Sequence, residues 1–133
     1  MKKSSLGVVP IVIVGGEAVE KLFLWGHSAC SVAENKVLVF GGFGGVGRHA
    51  RRNEALVLDP CSGTLEVIRG GGVEGSESPS PRLGHSCCSV GDGVFVIGGR
   101  ADPVNVLGDV WMLNRGKNEW RLVECNGSVF PSR

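Results

Sequence analysis

The chain repeats itself once, and that repeat limits what it can fold into more than any other feature. His27-Ser28-Ala29-Cys30-Ser31-Val32 returns 58 residues later as His85-Ser86-Cys87-Cys88-Ser89-Val90. Lys36-Val37-Leu38-Val39-Phe40-Gly41-Gly42 returns at an offset of 57 as Gly93-Val94-Phe95-Val96-Ile97-Gly98-Gly99. Glu54-Ala55-Leu56-Val57-Leu58-Asp59 returns at an offset of 55 as Asp109-Val110-Trp111-Met112-Leu113-Asn114. Apolar runs stay matched while the spacers between them change length, which is how stacked supersecondary repeats behave.

Each unit reads as four short strands. In the second unit they are Ser86–Val90, Val94–Ile97, Val110–Leu113 and Glu119–Val123. The spacers Gly91-Asp92-Gly93, Gly99–Gly108 and Arg115-Gly116-Lys117-Asn118 carry turn chemistry. No segment sustains the i, i+3, i+4, i+7 pattern of an amphipathic helix. The 22 glycines in 133 residues exceed ordinary usage and lie beside apolar runs, as turns between strands require. A hydrophobic content of 42% is enough to build a core.

The order strand, double glycine, loop, strand, turn, tryptophan resembles the kelch repeat. Gly98-Gly99, Trp111 and Trp120 carry it in the second unit, opened by Pro81-Arg82 and His85. The first unit has His27, Gly41-Gly42 and Asp59, but Leu65 where the second has Trp120. This resemblance implies an all-β fold, a partial β-propeller of two four-stranded antiparallel blades plus fragments. It divides the chain into an N-terminal extension with remnant strands at 1–25, blades at 26–69 and 82–125, a linker at 70–81, and the start of a truncated next blade at 126–133. Val8–Val14 and Leu22–Trp25 read as the remnant strands. Repeats bury their faces on one another, and at least three are generally needed for stability. Both terminal blade faces are therefore expected to be apolar and exposed.

A second resemblance is more specific. Glu20 to Cys30, Val39 to Gly45, Gly47 to Asn53, and Gly98-Gly99-Arg100-Ala101-Asp102-Pro103 are similar to the kelch segment of the plant tRNA wybutosine-synthesizing protein 2/3/4 family. That family joins a propeller to domains that build a tricyclic base beside the anticodon of phenylalanine tRNA. No transferase domain or S-adenosylmethionine motif is read in these 133 residues. The resemblance implies a non-catalytic module, with sister domains, a protein partner or tRNA as its contacts. A generic kelch adaptor, of the ubiquitin-ligase type for example, is the alternative.

Other motifs have plainer readings. Gly42-Phe43-Gly44-Gly45-Val46-Gly47 fits G-x-G-x-x-G, but six residues before Ala55 leave no room for the helix that would hold a pyrophosphate. No cofactor or metal set is expected. The duplicated His27 and His85 read as packing or hydrogen-bonding residues at each blade's inner edge. Trp111 and Trp120 read as blade core, and Trp25 as packing at the first blade's entry. Five cysteines with no C-x-x-C pair read as small apolar residues in a reducing compartment. Met1-Lys2-Lys3 precedes an apolar stretch, but Pro10 interrupts it and no A-x-A site follows, so a cytoplasmic chain is expected. No apolar run is long enough to span a bilayer.

Arg48, His49, Arg51 and Arg52 form the dense basic cluster of a chain whose net charge is +1. Their loop should be exposed, with Arg100 on the same face of the neighbouring blade. One reading is a contact with anionic phosphate or an acidic surface. The other is a solvated loop, its arginines paired with Glu54 or Asp109. Phe43 is the one aromatic read beside this loop.

Overall fold

The computed structural model describes residues 10–47, 50–68 and 77–124. Its strands are β1 (Gly15–Gly16), β2 (Leu24–Trp25), β3 (Ser28–Val32), β4 (Lys36–Phe40), β5 (Phe43–Gly44) and β6 (Ala50–Arg51). They continue as β7 (Ala55–Asp59), β8 (Thr64–Ile68), β9 (Ser86–Val90), β10 (Gly93–Arg100), β11 (Val106–Asn114) and β12 (Glu119–Leu122). One 3-10 helix, Val19–Leu22, accompanies them. Short alternating runs broken by glycine leave no room for longer helices, and the described residues are nearly all β.

The two repeat units form two sheets. The second is an antiparallel meander ordered β12-β11-β10-β9. The first carries the equivalent strands, β8-β7-β4-β3, with β1 added at its outer edge. That fifth strand runs parallel to β8, pairing Gly15 with Thr64 and Gly16 with Leu65. The first unit is thus not a bare four-stranded antiparallel sheet. Of the expected remnant strands, residues 10–14 form none, and Leu22–Trp25 divides between the 3-10 helix and β2. Residues 1–9, most of the linker and 126–133 lie outside the described residues.

Local sequence explains the hairpins. Glu34 and Asn35 both adopt positive φ, 66° and 61°, so β3 returns as β4 in a tight turn whose twist matches the strands. Asp59 accepts the backbone N–H groups of Cys61 and Ser62, at 2.9 and 3.3 Å, between β7 and β8. Asn114 does the same for Gly116 and Lys117 between β11 and β12, at 2.9 and 3.2 Å. Equivalent residues in the two units thus close the equivalent turn by one device.

The sheets stack face to face. Leu38, Phe40, Ala55 and Val57 of the first pack against Val94, Val96, Trp111 and Leu113 of the second. Cys30, Val32, Cys87 and Trp120 border this shared core. Burial raises the Cys30 thiol to about 12, with Cys87 and then Cys88 adding to the effect, so it stays protonated and packs as a small apolar group. The described cysteines, Cys30, Cys61, Cys87 and Cys88, are free thiols.

The other face of the first sheet is covered, contrary to the sequence expectation. Ile13, Leu22 and Leu24 from the N-terminal segment lie over Val39, Leu56 and Leu65. Backbone bonds hold the segment in place: Val14 N–H donates to Gly63 O at 2.8 Å and Glu17 N–H to Leu65 O at 2.7 Å. The residues predicted as leftovers act as a cap.

The second sheet's far face has no such cover among the described residues. Val90 is 66% and Ile97 45% exposed there. These positions correspond by repeat offset to Val32 and Phe40, the residues with which the first sheet receives the second. An apolar sheet face exposed in this way is a candidate contact surface. The chain in isolation is expected to associate with increasing concentration in sedimentation velocity. Val90→Lys together with Ile97→Lys should shift it toward monomer, and an unchanged distribution would exclude this face as the contact.

Candidate functional site

The glycine pairs organise one end of the molecule. Gly41 and Gly42 have φ of 70° and 93°, turning the chain out of β4 into β5. A Cβ on Gly41 would lie 2.6 Å from His85 Cε1. Only glycine admits both the backbone and the imidazole that fills the space. In the second unit the sequence expectation of a strand ending at the glycines is corrected. β10 runs through Gly98-Gly99 to Arg100 with a register shift between Ile97 and Gly99. The loop expected at Gly99–Gly108 shrinks to the five residues between β10 and β11.

The two histidines differ. His85 is buried, and its Nε2 donates to the Phe40 carbonyl at 2.7 Å, from the second unit to the first. Its ring meets Phe40 edge-on, with centroids 5.3 Å apart. His27 is exposed, which corrects the expectation of equivalent roles. His85 has a preceding sheet to bond to. His27, at the entry of the first sheet, has no preceding repeat sheet among the described residues.

Arg82 is the most consequential polar residue, and it was read from the sequence merely as part of the repeat's opening. It is fully buried. Its guanidinium grips Asp109 with both ends, Nη1 to Oδ1 at 2.7 Å and Nη2 to Oδ2 at 3.0 Å. Nη1 also donates to Gly98 O and Nε to Ser80 O, each at 3.0 Å. Trp111 Nε1 donates to Asp109 at 2.9 Å. Burial opposes ionisation of Asp109, but the bonds from Arg82 and Trp111 outweigh it and hold its carboxyl below 3.8. Arg82 backbone groups also join the units: its N–H donates to Arg52 O at 3.2 Å and its carbonyl accepts Gly42 N–H at 2.8 Å. In the first unit Glu54 stands at the Asp109 position, but its cation is Lys21, 3.3 Å away and partly exposed. Leu24 occupies the Arg82 position. That exchange concealed the arginine from a comparison of the repeats.

Beyond the first glycine pair lies a small sheet ordered β2-β5-β6. Trp25 pairs with Phe43, and Phe43 with Arg51. Direct cross-strand partners share a face, so these three side chains form a row. Trp25 and Phe43 ring centroids are 5.6 Å apart, with planes tilted by 46°. Trp25 is nevertheless 62% exposed, so it lies on the surface and not within the packed entry expected for it.

The basic cluster is less free than its composition implies. Arg48 and His49 lie outside the described residues. Arg51 and Arg52 are half-buried, not exposed. Arg52 Nε donates to Gly44 O at 2.6 Å and Nη2 to Val46 O at 2.9 Å, stapling the β5–β6 loop. Asp109 is taken by Arg82 and Glu54 by Lys21. Arg100 is exposed and donates to Pro103 O at 3.1 Å. Trp111 is buried, and Trp120 lies over Phe40 with centroids 5.2 Å apart. At the opposite end, Glu34, Asp92 and Arg115 border a recess of about 190 Å³ between the turns of the two sheets.

Two homologous sheets stacked face to face, each with four repeat strands and a glycine pair, define this chain as a kelch-repeat protein. A family model, the KLHDC2/KLHL20/DRC7 Kelch-repeats domain, matches residues 12–133, and the chain belongs to that kelch family. Among individual relatives, it is 59% identical over 121 residues to the tRNA wybutosine-synthesizing protein 2/3/4 of Arabidopsis thaliana, covering 89% of this chain and 12% of the relative. It is 49% identical over 123 residues to the protein of the same name in Oryza sativa subsp. japonica, covering 90% and 11%. An Arabidopsis thaliana F-box/kelch-repeat protein is 38% identical over 93 residues, covering 66% and 18%. The chain thus spans about an eighth of the length of the wybutosine relatives it matches. No helix among the described residues is long and apolar enough to cross a membrane.

Two stability outcomes follow. Asp109→Asn leaves a buried guanidinium without its counter-charge and should cost about 3 kcal/mol, whereas Glu54→Gln, on a partly solvated pair, should cost about 1 kcal/mol or less. Denaturant titration of both variants checks the ranking. Burial, followed by the positive charge of Arg82, holds His85 below 6.5, while the Phe40 carbonyl partly offsets this. The unfolded chain therefore binds that proton more readily, and stability from this group, present above pH 6.5, declines as pH falls toward the folded value. Asp109, also depressed, adds a further loss as pH falls below about 4. His85→Gln should remove the decline just below pH 6.5 and keep the acidic one.

Proposed function

We propose that this chain is a non-catalytic kelch module of a tRNA wybutosine-synthesis protein, one that positions tRNA or the catalytic domains of that protein. The identity of 59% and 49% across nine-tenths of the chain carries the proposal, against 38% over two-thirds for the F-box relative. The structure supports a scaffold role. Its buried polar residues are committed to structure: His85 and the Arg82 backbone join the two sheets, and the Arg82 side chain grips Asp109 within the second unit. Such a module acts inside the cell, where tRNA is modified, and needs no cofactor of its own.

The candidate contact is the glycine-pair end, where Arg51 and Arg100 lie on neighbouring units, with Arg48 belonging to the same basic cluster in the sequence. Arg52 serves the loop itself, so Arg48 and Arg51 are the cations to change. Arg48→Glu with Arg51→Glu should weaken retention of phenylalanine tRNA in a filter-binding assay. It should also flatten the salt dependence, by about 0.7 to 0.9 in log–log slope for each phosphate no longer neutralised. Unchanged retention and slope would remove the loop from consideration.

A second reading has a specific observation behind it. Kelch domains generally mediate protein–protein contact, and the F-box/kelch relative matches two-thirds of the chain. If the module is an adaptor of that kind, it should recover a ligase subunit in a pull-down and show no preference for tRNA.

A further inference from the structure

We propose that Trp25, Phe43 and Arg51 form a platform on which an unpaired RNA base stacks. The proposal rests on the tRNA-facing reading above and assigns it a site. Three short strands supply the row, because β5 lies between β2 and β6. Trp25, exposed at 62%, offers a large aromatic face at the surface of a protein whose other two described tryptophans are buried or half-buried. Phe43 supports that ring from the neighbouring strand. Phe23, two residues before Trp25, is also exposed, at 64%.

The charge beside the row is positive. Arg51 Nε is buried and has no hydrogen-bond partner among the described residues, so one of its donors lacks an acceptor. Arg100 stands exposed at the position that corresponds to Phe43 in the second unit. Asp102, in the second unit, is an acidic group close enough for Arg51 to act on. Its carboxylate is held ionised chiefly by Asn105 and Val104, and Arg51 adds to that stabilisation. Phosphate oxygens next to a stacked base would add to the negative charge that Asp102 already sets beside Arg51.

Aromatic rings on a strand surface with a cation at the edge recognise single strands, since a base must be unstacked before it can lie on the ring. Duplex RNA, its bases already stacked, has no face to offer. An acidic or aromatic protein segment is the competing occupant, and the test separates it.

The second unit carries Leu83 at the Trp25 position, so Trp25→Leu is a substitution the fold already accommodates. Fluorescence anisotropy should be measured with a labelled twelve-nucleotide single-stranded RNA, the same RNA as a duplex, and an acidic peptide. Circular dichroism of each variant verifies folding. The single strand should bind more tightly than the duplex and the peptide. Trp25→Leu should weaken it about tenfold with an unchanged salt slope, and Arg51→Gln should lower the slope by about 0.7. RNA binding that ignores Trp25→Leu overturns the platform and leaves the module's tRNA role standing. Absence of RNA binding by the unaltered chain overturns both. Binding of the peptide in preference to RNA, abolished by Trp25→Leu, overturns the RNA assignment.

Discussion

Phe40 stands where the two sheets meet, and the rest of the arrangement depends on what surrounds it. Its ring lies between His85 and Trp120, both contributed by the second unit. Its carbonyl accepts the His85 Nε2–H. The glycine after it leaves the volume that the imidazole fills. One residue thus supplies apolar area, ring contacts and a directed hydrogen bond across the same boundary. Replacing a buried phenylalanine by alanine typically costs about 3–5 kcal/mol, a large share of what holds a small domain folded. Arg82 reinforces the junction from the side, its side chain closing the second unit and its backbone joining both.

This junction also explains the asymmetry of the chain's ends. Each unit has one face that resembles the Phe40 side and one that resembles the Trp111 side. The first unit's Trp111-like face, with Leu56 and Leu65, is closed by the N-terminal segment. The second unit's Phe40-like face, with Val90 and Ile97, remains exposed. Stacked repeats hold together by such complementary faces, and an uncovered one is where a further repeat or another chain attaches. The stability of these two sheets is therefore tied to what lies against the second one.

The repeat made the two sheets legible, because its matched runs carry the alternation that strands require. It also located the corners, since paired glycines at equivalent points imply unusual backbone geometry. Other features had no such signal. The cap formed by Ile13, Leu22 and Leu24 belongs to one unit alone, and the repeat does not carry it, since Arg82 stands where a copy of Leu24 would be. Arg82 was hidden because the first unit moves the cation to Lys21 and fills the equivalent position with Leu24. The Trp25–Phe43–Arg51 row joins residues separated by loops, and pairing across three short strands cannot be read from local pattern. The basic loop was overestimated as free surface, because composition does not show that the Arg52 guanidinium turns back onto Gly44 and Val46.

For function, the division of labour is clear in the polar groups. Those at the junction are committed to structure, and the residues of the proposed contact, Arg51 and Arg100, lie beyond the glycine pairs. Whether that end is presented as described depends on the sheets stacking through Phe40. Nuclear Overhauser contacts between the Phe40 ring and the rings of His85 and Trp120 test this directly. The account predicts strong cross-peaks to both, given centroid separations of 5.3 and 5.2 Å. A Phe40 ring that contacts only residues of its own sheet would contradict it.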